Sequence, residues 1–217
     1  DWYTTGLNTM RLVVAHEYFH AIQRAYKHSP NSTDQFFYEL TSTWIEDVIV
    51  PDGNDYLYWI DEFFDDPDQD FDDSDGYSLA LYGHYLSTQI QDTDSQVEST
   101  IMRSVWEEIE DGSAPAAGID NVLESYNLTF IDTWVDFCAR NLFNDEFTDM
   151  DNDIFYYIDQ ANLLVGSLHV DADDLMSGTY SLSLDDDSAV IQSIKADISS
   201  IIEFTYSELP QAGQVAI

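Results

Sequence analysis

From position 12 to 26 the chain reads Leu, Val, Val, Ala, His, Glu, Tyr, Phe, His, Ala, Ile, Gln, Arg, Ala, Tyr, with neither Pro nor Gly to interrupt it. A run of this length exceeds an ordinary strand and predicts a helix, closed by His28-Ser29-Pro30 and capped by Asn8 or Thr9. Apolar side chains lie almost all round it, so a buried helix is expected. After a Ser-, Pro- and Asn-rich loop at 29–34, a second apolar segment at 36–47 predicts a second helix. Aromatic residues make 56–64 a short third, followed by an acidic loop at 65–76. Apolar positions then recur at helical spacing, as in Val97, Ile101, Val105, Trp106 and Ile109, or Phe130, Trp134 and Cys138. Helices are predicted at 77–91, 97–110, 117–126 and 129–143, with Asn127 ending one and Thr129 capping the next.

From about 161 the period shortens. Residues 163–170, 180–184, 190–198 and 201–206 run or alternate as strands, with turns at Ser177-Gly178 and 185–187. The fold class is α+β: a mainly helical region over 1–160 and a β-rich segment over 161–217. The length suits one domain, or one with a small appendage.

Composition narrows the setting. Of 217 residues, 43 are Asp or Glu and six are Lys or Arg, a formal net charge of -37. Such a field repels a phosphate backbone and an anionic bilayer, so neither nucleic acid nor a membrane is an expected partner. The excess of Asp with scarce Lys looks like the adaptation of proteins from salt-loving organisms. Self-repulsion should destabilise the fold in dilute buffer and be screened in molar salt, so salt-dependent folding is expected. The chain is still a folding one, with 44% hydrophobic and 14% aromatic residues. Its one cysteine, Cys138, excludes an internal disulfide and reads as a core thiol. No apolar run reaches the length of a membrane span. The chain begins at Asp1 without a visible signal peptide, which fits a trimmed form of a longer precursor. An extracellular, salty location is expected.

The chemistry concentrates in His16-Glu17-Tyr18-Phe19-His20. Residues four apart share a helix face, so both imidazoles reach one ion, and Glu17 projects beside it to take a proton from water. A buried His, Glu, His triple needs a common partner, and a metal supplies one. A catalytic zinc takes three protein ligands. The second helix offers Glu39 and Glu46, two turns apart on one face, and either is placed to be the third.

Eighteen residues separate His20 from Glu39, and the two segments resemble the gluzincin metallopeptidases, in which HExxH is followed at about this interval by a glutamate on the next helix. The string from Tyr38 to Glu46 is similar to the glutamate-bearing helix of aminopeptidase-like gluzincins. The first helix also looks like that of secreted bacterial and archaeal metalloproteases of the hyicolysin and immune-inhibitor-A types. The resemblance covers residues 12–50. It implies a zincin-like catalytic region, with zinc held by His16, His20 and Glu39, Thr43 and Glu46 behind the ligands, and Glu17 as general base in the hydrolysis of a peptide or protein substrate. A second donor to the oxyanion, Tyr or His, is usual in that family, and Tyr82, His84 and Tyr85 are the candidates. Thermolysin-like members carry an aspartate where this chain has Thr43, so the orientation of a zinc histidine falls to Glu46, Asp47 or a backbone carbonyl. Gluzincins also carry a substrate-binding sheet upstream of the HExxH helix, whereas only 15 residues precede His16 here, so an incomplete cleft is expected.

The rival reading is a catalytically inert module that keeps zinc for structure, or an acidic interaction domain. A fourth protein ligand would mark a structural zinc. Two acidic runs, Asp66, Asp68, Asp70 and Asp72, then Asp149, Asp151 and Asp153, alternate as calcium ligands do. Ile154 and Gln160, however, stand where an EF-hand requires Gly and Glu.

Overall fold

The computed structural model describes residues 4–67, 69–91, 96–141 and 144, together with a strand pair at 171–173 and 192–194. Its first helix, α1 (Leu7–Tyr26), begins before its apolar run, with Gly6 at φ 63° as the cap residue. Asn8 and Thr9 therefore lie inside the first turn instead of capping it. The Thr9 hydroxyl stands 3.0 Å from that of Thr4, whose amide and hydroxyl each donate to the buried Asp55 carboxylate at 2.7 Å. These bonds tie the start of α1 to the 3-10 turn Asp55–Tyr58.

The expectation of a buried first helix is corrected. Only Leu12 and Gln23 are buried, while Leu7, Met10, Val14 and Tyr18 are 62%, 62%, 55% and 69% exposed. Apolar residues circle α1, but among the described residues most of its surface stays exposed, and composition does not reveal which side a neighbour takes.

The buried helix is α2 (Gln35–Ile49), which packs against α1 on one side and α4 (Ala80–Tyr85) on another. The approach to α4 is close, since a Cβ on Gly83 would stand 3.0 Å from Cγ of Trp44. The predicted helix at 56–64 divides into the Asp55–Tyr58 turn and α3 (Ile60–Asp65), with Trp59 between them.

The acidic loop returns to α2 at Gly76, where φ is +97° and a Cβ would sit 1.9 Å from the Phe36 carbonyl oxygen. Only glycine allows backbone to meet backbone there, and the contact delivers the next residue, Tyr77, to the side of α2 that carries Glu39. The predicted helix at 77–91 is likewise divided, into a 3-10 turn (Tyr77–Leu79), α4, and a π turn (Leu86–Ile90). Ser87 donates to the carbonyls of Gly83 and His84, and Thr88 to that of His84, bonds that compete with the regular helical ladder at the change of pitch.

Three helices complete the layer: α5 (Ile101–Glu110), α6 (Pro115–Leu123) and α7 (Phe130–Asn141). Val97 belongs to a separate 3-10 turn before α5 and is 69% exposed, not part of its apolar face. Asn127 adopts φ 59° after α6. Thr129 and Asp132 exchange bonds at the start of α7, the Thr129 amide donating to the carboxylate at 2.8 Å and the Asp132 amide to the hydroxyl at 3.1 Å. Trp134 centres the core, with the rings of Phe63, Phe71, Tyr82, Phe130 and Phe137 at centroid distances of 5.2 to 5.9 Å. Cys138 is a buried free thiol, which burial pushes above the ordinary thiol range.

The strands β1 (Asp171–Asp173) and β2 (Gln192–Ile194) pair in parallel, Asp171 opposite Gln192. β2 falls within the predicted strand at 190–198, and β1 directly follows the one at 163–170. The strands predicted at 163–170, 180–184 and 201–206 lie outside the described residues, as does the acidic run at 149–153.

Candidate metal centre

α1 and α2 pack along the faces that carry His16, His20 and Glu39. Small side chains on α2 make the approach close. Fully buried Gln23 fits against Thr41 and Ser42, its amide nitrogen 2.8 Å from Thr41 Oγ1, 3.0 Å from Ser42 Oγ and 2.8 Å from the Tyr38 carbonyl oxygen. A buried amide so satisfied fixes the two helices in register.

Three donor atoms converge at this seam. His16 Nε2 lies 3.1 Å from His20 Nε2 and 3.1 Å from Glu39 Oε2, and His20 Nε2 lies 3.5 Å from the same oxygen. Ligands bound to a tetrahedral zinc at about 2.0 to 2.1 Å stand about 3.3 Å apart, so the triangle has the dimensions of one face of such a site. Two imidazoles and a carboxylate are also the donor types zinc takes in hydrolytic sites. Among the described residues, these three form the group of His, Cys, Asp and Glu gathered closely enough to hold a metal. Among the described residues Asp66, Asp70 and Asp72 do not assemble into a further one, and Asp68 lies outside the described residues.

The far nitrogen of each imidazole is committed. His16 Nδ1 donates to Glu46 Oε1 at 2.6 Å, and His20 Nδ1 donates to Gln23 Oε1 at 2.7 Å with Ser42 Oγ at 3.1 Å. These bonds fix the tautomer that turns each Nε2 lone pair to the centre. The orienting partner of His16 is therefore Glu46. Asp47 instead accepts from the Asn54 amide at 3.1 Å. Thr43 is buried, and its hydroxyl bonds to neither histidine.

Three lone pairs this close repel unless a cation lies among them, and protons can take that role. Burial alone would lower the pKa of His16, but its hydrogen bonds to Glu39 and Glu46 outweigh burial and raise it to about 9. The bond to Glu39 also raises His20. Burial would raise Glu39, yet bonds from His16, His20 and Tyr77 hold it well below the ordinary carboxylate range. Burial does raise Glu46, but His16 is the stronger base and keeps the shared proton on Nδ1.

Glu17, next to His16 on α1, is exposed and, among the described residues, has no hydrogen-bond or ion-pair partner. The three oxyanion candidates are placed elsewhere. Tyr82 is fully buried with its hydroxyl 2.6 Å from that of Thr133, and Tyr85 donates to Asp136 at 2.7 Å. His84 is fully buried, with Nδ1 bonded to Gln96, and burial lowers its pKa to about 4. None of the three touches the triangle. The aromatic residue that does is Tyr77, whose ring stacks on His16 at 6.0 Å and 6° and which helps to lower the pKa of Glu39.

Sequence reasoning missed Gln23, Ser42 and Tyr77. Gln23 carried a usable signal, as a polar residue one turn beyond His20 on the same face. Tyr77 carried none, because the Gly76 contact that delivers it is tertiary. No protein-family model, no curated protein and no solved structure matches this chain.

Proposed function

We propose that this chain is a zinc-dependent hydrolase of peptide bonds, with His16, His20 and Glu39 as ligands and Glu17 as general base. The observation that carries the reading is the convergence of three donor atoms 3.1 to 3.5 Å apart, with both outward-facing imidazole nitrogens already engaged. Zinc at such a site supplies Lewis acidity, acidifying water and polarising a carbonyl.

The chain's own residues supply the rest. Glu46 and Gln23 hold the imidazoles so that little reorganisation is needed when they ligate. Glu17, unpaired and exposed, accepts the proton of the attacking water and returns it to the leaving amine. Tyr77 stacks on His16 and helps keep the Glu39 carboxylate ionised. Glu46 is spent on His16 Nδ1, so it does not complete a closed four-ligand set, which favours the hydrolytic over the structural role.

The test is cleavage of casein in molar salt by zinc-loaded wild type and Glu17→Gln, with zinc content measured in both. Removing a general base costs about 10²- to 10⁴-fold in rate, and the variant should keep its zinc. Equal activity in the two proteins refutes the role of Glu17, and inactivity of the zinc-loaded wild type on peptides refutes the peptidase reading.

A further inference from the structure

The triangle adjoins a wall of aromatic rings that the proposed chemistry does not use. Tyr77, stacked on His16, has Trp59 at a centroid distance of 5.0 Å and 35°, and Trp59 has Tyr58 at 4.9 Å and 86°. Tyr58 and Tyr77 belong to two turns, Asp55–Tyr58 and Tyr77–Leu79, that pack on one another, and Trp59 directly follows the first. The wall is accessible: Tyr58 is 49% exposed, and Trp59 and Tyr77 are half-buried. An isolated exposed aromatic residue is ordinary surface, but three in contact beside a reactive centre form a continuous apolar face where a substrate side chain can lie.

The rim of that wall is acidic. α3, which carries Glu62, packs on the Tyr77 turn, and Asp75 stands two residues before that turn. Asp75 Oδ1 accepts from the Tyr77 amide at 3.0 Å and so stays beside the ring. Partial burial and the charge of Asp75 together raise Glu62, which is consistent with the two carboxylates being neighbours. No Lys or Arg lies between positions 28 and 102 to offset them.

An aromatic face edged by carboxylates suits one side chain above others. A guanidinium stacks flat on Trp and Tyr and donates to carboxylates from its edge, whereas an aliphatic chain uses only the face and a carboxylate is repelled. We infer that Tyr58, Trp59 and Tyr77, rimmed by Glu62 and Asp75, form a subsite that selects peptides carrying arginine next to the scissile bond. Cation–π contact acts at short range, so the preference persists in salt that screens longer-range attraction.

The inference rests on the peptidase reading, and two readouts keep them apart. The first is kcat/KM of the zinc-loaded enzyme for quenched-fluorescence peptides that differ only in Arg, Leu or Glu beside the scissile bond. The second is the affinity of the zinc-loaded Glu17→Gln protein for the same peptides, which needs no turnover. The Arg peptide should exceed the Leu peptide by about tenfold in both, with Glu weakest. Trp59→Ala and the milder Glu62→Gln should each shrink the Arg-to-Leu ratio by about threefold or more, through KM rather than kcat. Arg-selective binding without cleavage would overturn the peptidase reading and leave the subsite standing. Arg and Leu peptides handled equally by wild type, or an Arg preference intact in both variants, overturns the subsite.

Discussion

If zinc takes the proposed ligand set, it competes with a proton for His16, and the competition sets a measurable pH dependence. In the metal-free protein His16 holds its proton to about pH 9, raised by Glu39 and Glu46 against the effect of burial. A ligating imidazole must give up that proton. At pH 7, two units lower, displacement costs about 2.7 kcal/mol, or roughly a hundredfold in apparent affinity. Apparent zinc affinity should therefore rise about tenfold per pH unit between 6.5 and 8.5 and level off near 9. His20, raised by its bond to Glu39, steepens the lower part of the curve. The assay is competition with a chromophoric chelator at fixed ionic strength, corrected for the chelator's own protonation. Calorimetry in buffers of different ionisation enthalpy should count about one proton released near pH 7. Glu46→Gln keeps an acceptor for His16 Nδ1 but loses the charge, so the slope at neutral pH should flatten. An affinity independent of pH across this range refutes the coupling, and an unchanged slope in Glu46→Gln refutes the part given to Glu46. The same proton has a sign for folding: raised in the native state, it stabilises the metal-free fold below about pH 6.5, and that contribution is lost as pH rises through about 9.

Three further outcomes follow from the fold. Gly76→Ala places a Cβ 1.9 Å from the Phe36 carbonyl at φ +97°, which should destabilise the protein by about 3 kcal/mol in a denaturant titration, while a loss under about 0.5 kcal/mol would contradict the contact. His84 is held neutral by burial with a pKa of about 4, so the unfolded chain binds its proton first. Its share of stability is present above about pH 6.5 and is lost as pH falls through 4, up to about 3 kcal/mol, and wild type and His84→Gln should diverge in acid titrations over that interval. On the proposed ligand set, zinc would join two ligands on α1 to one on α2, and among the described residues α1 is otherwise largely exposed. Chelation should therefore speed amide exchange in α1 more than in α2, and equal protection with and without zinc would argue against the ligand set.

How much of this was legible in the sequence depended on range. That His16 and His20 face one point was readable because a four-residue spacing is local geometry, whereas the spacing left Glu39 and Glu46 both open and only the resemblance singled out Glu39. The helices at α2, α6 and α7 followed from period and punctuation, including Asn127 and the Thr129 cap. The exposure of α1 was not readable, since a helix apolar on all sides gives no sign of which side its neighbour takes. Tyr82, His84 and Tyr85 lie away from the triangle. Those candidates came from residue type alone, a Tyr or His in the 77–91 segment, and residue type does not say which of them packs into the core; the one that reaches the triangle is the residue just after Gly76. Glu46 was one of three candidates for orienting His16, and only the packing of α1 on α2 separates them.

The exposed side of α1 also bears on how this protein can be handled. Leu7, Met10, Val14 and Tyr18 lie on a helix that carries Arg11 and Arg24 and only one acid, Glu17, so the acidic coat that keeps the rest of the surface apart is thin there. Salt that quiets repulsion between 43 acidic residues leaves this stripe with less electrostatic protection from its own copies, and strongly excluded anions such as sulfate make apolar contact more favourable still. Solubility would then have a ceiling as well as a floor in salt, with folding lost below and self-adhesion through α1 setting in above. Chloride and sulfate at matched ionic strength would separate the two limits, because screening responds to ionic strength whereas adhesion also responds to the identity of the anion.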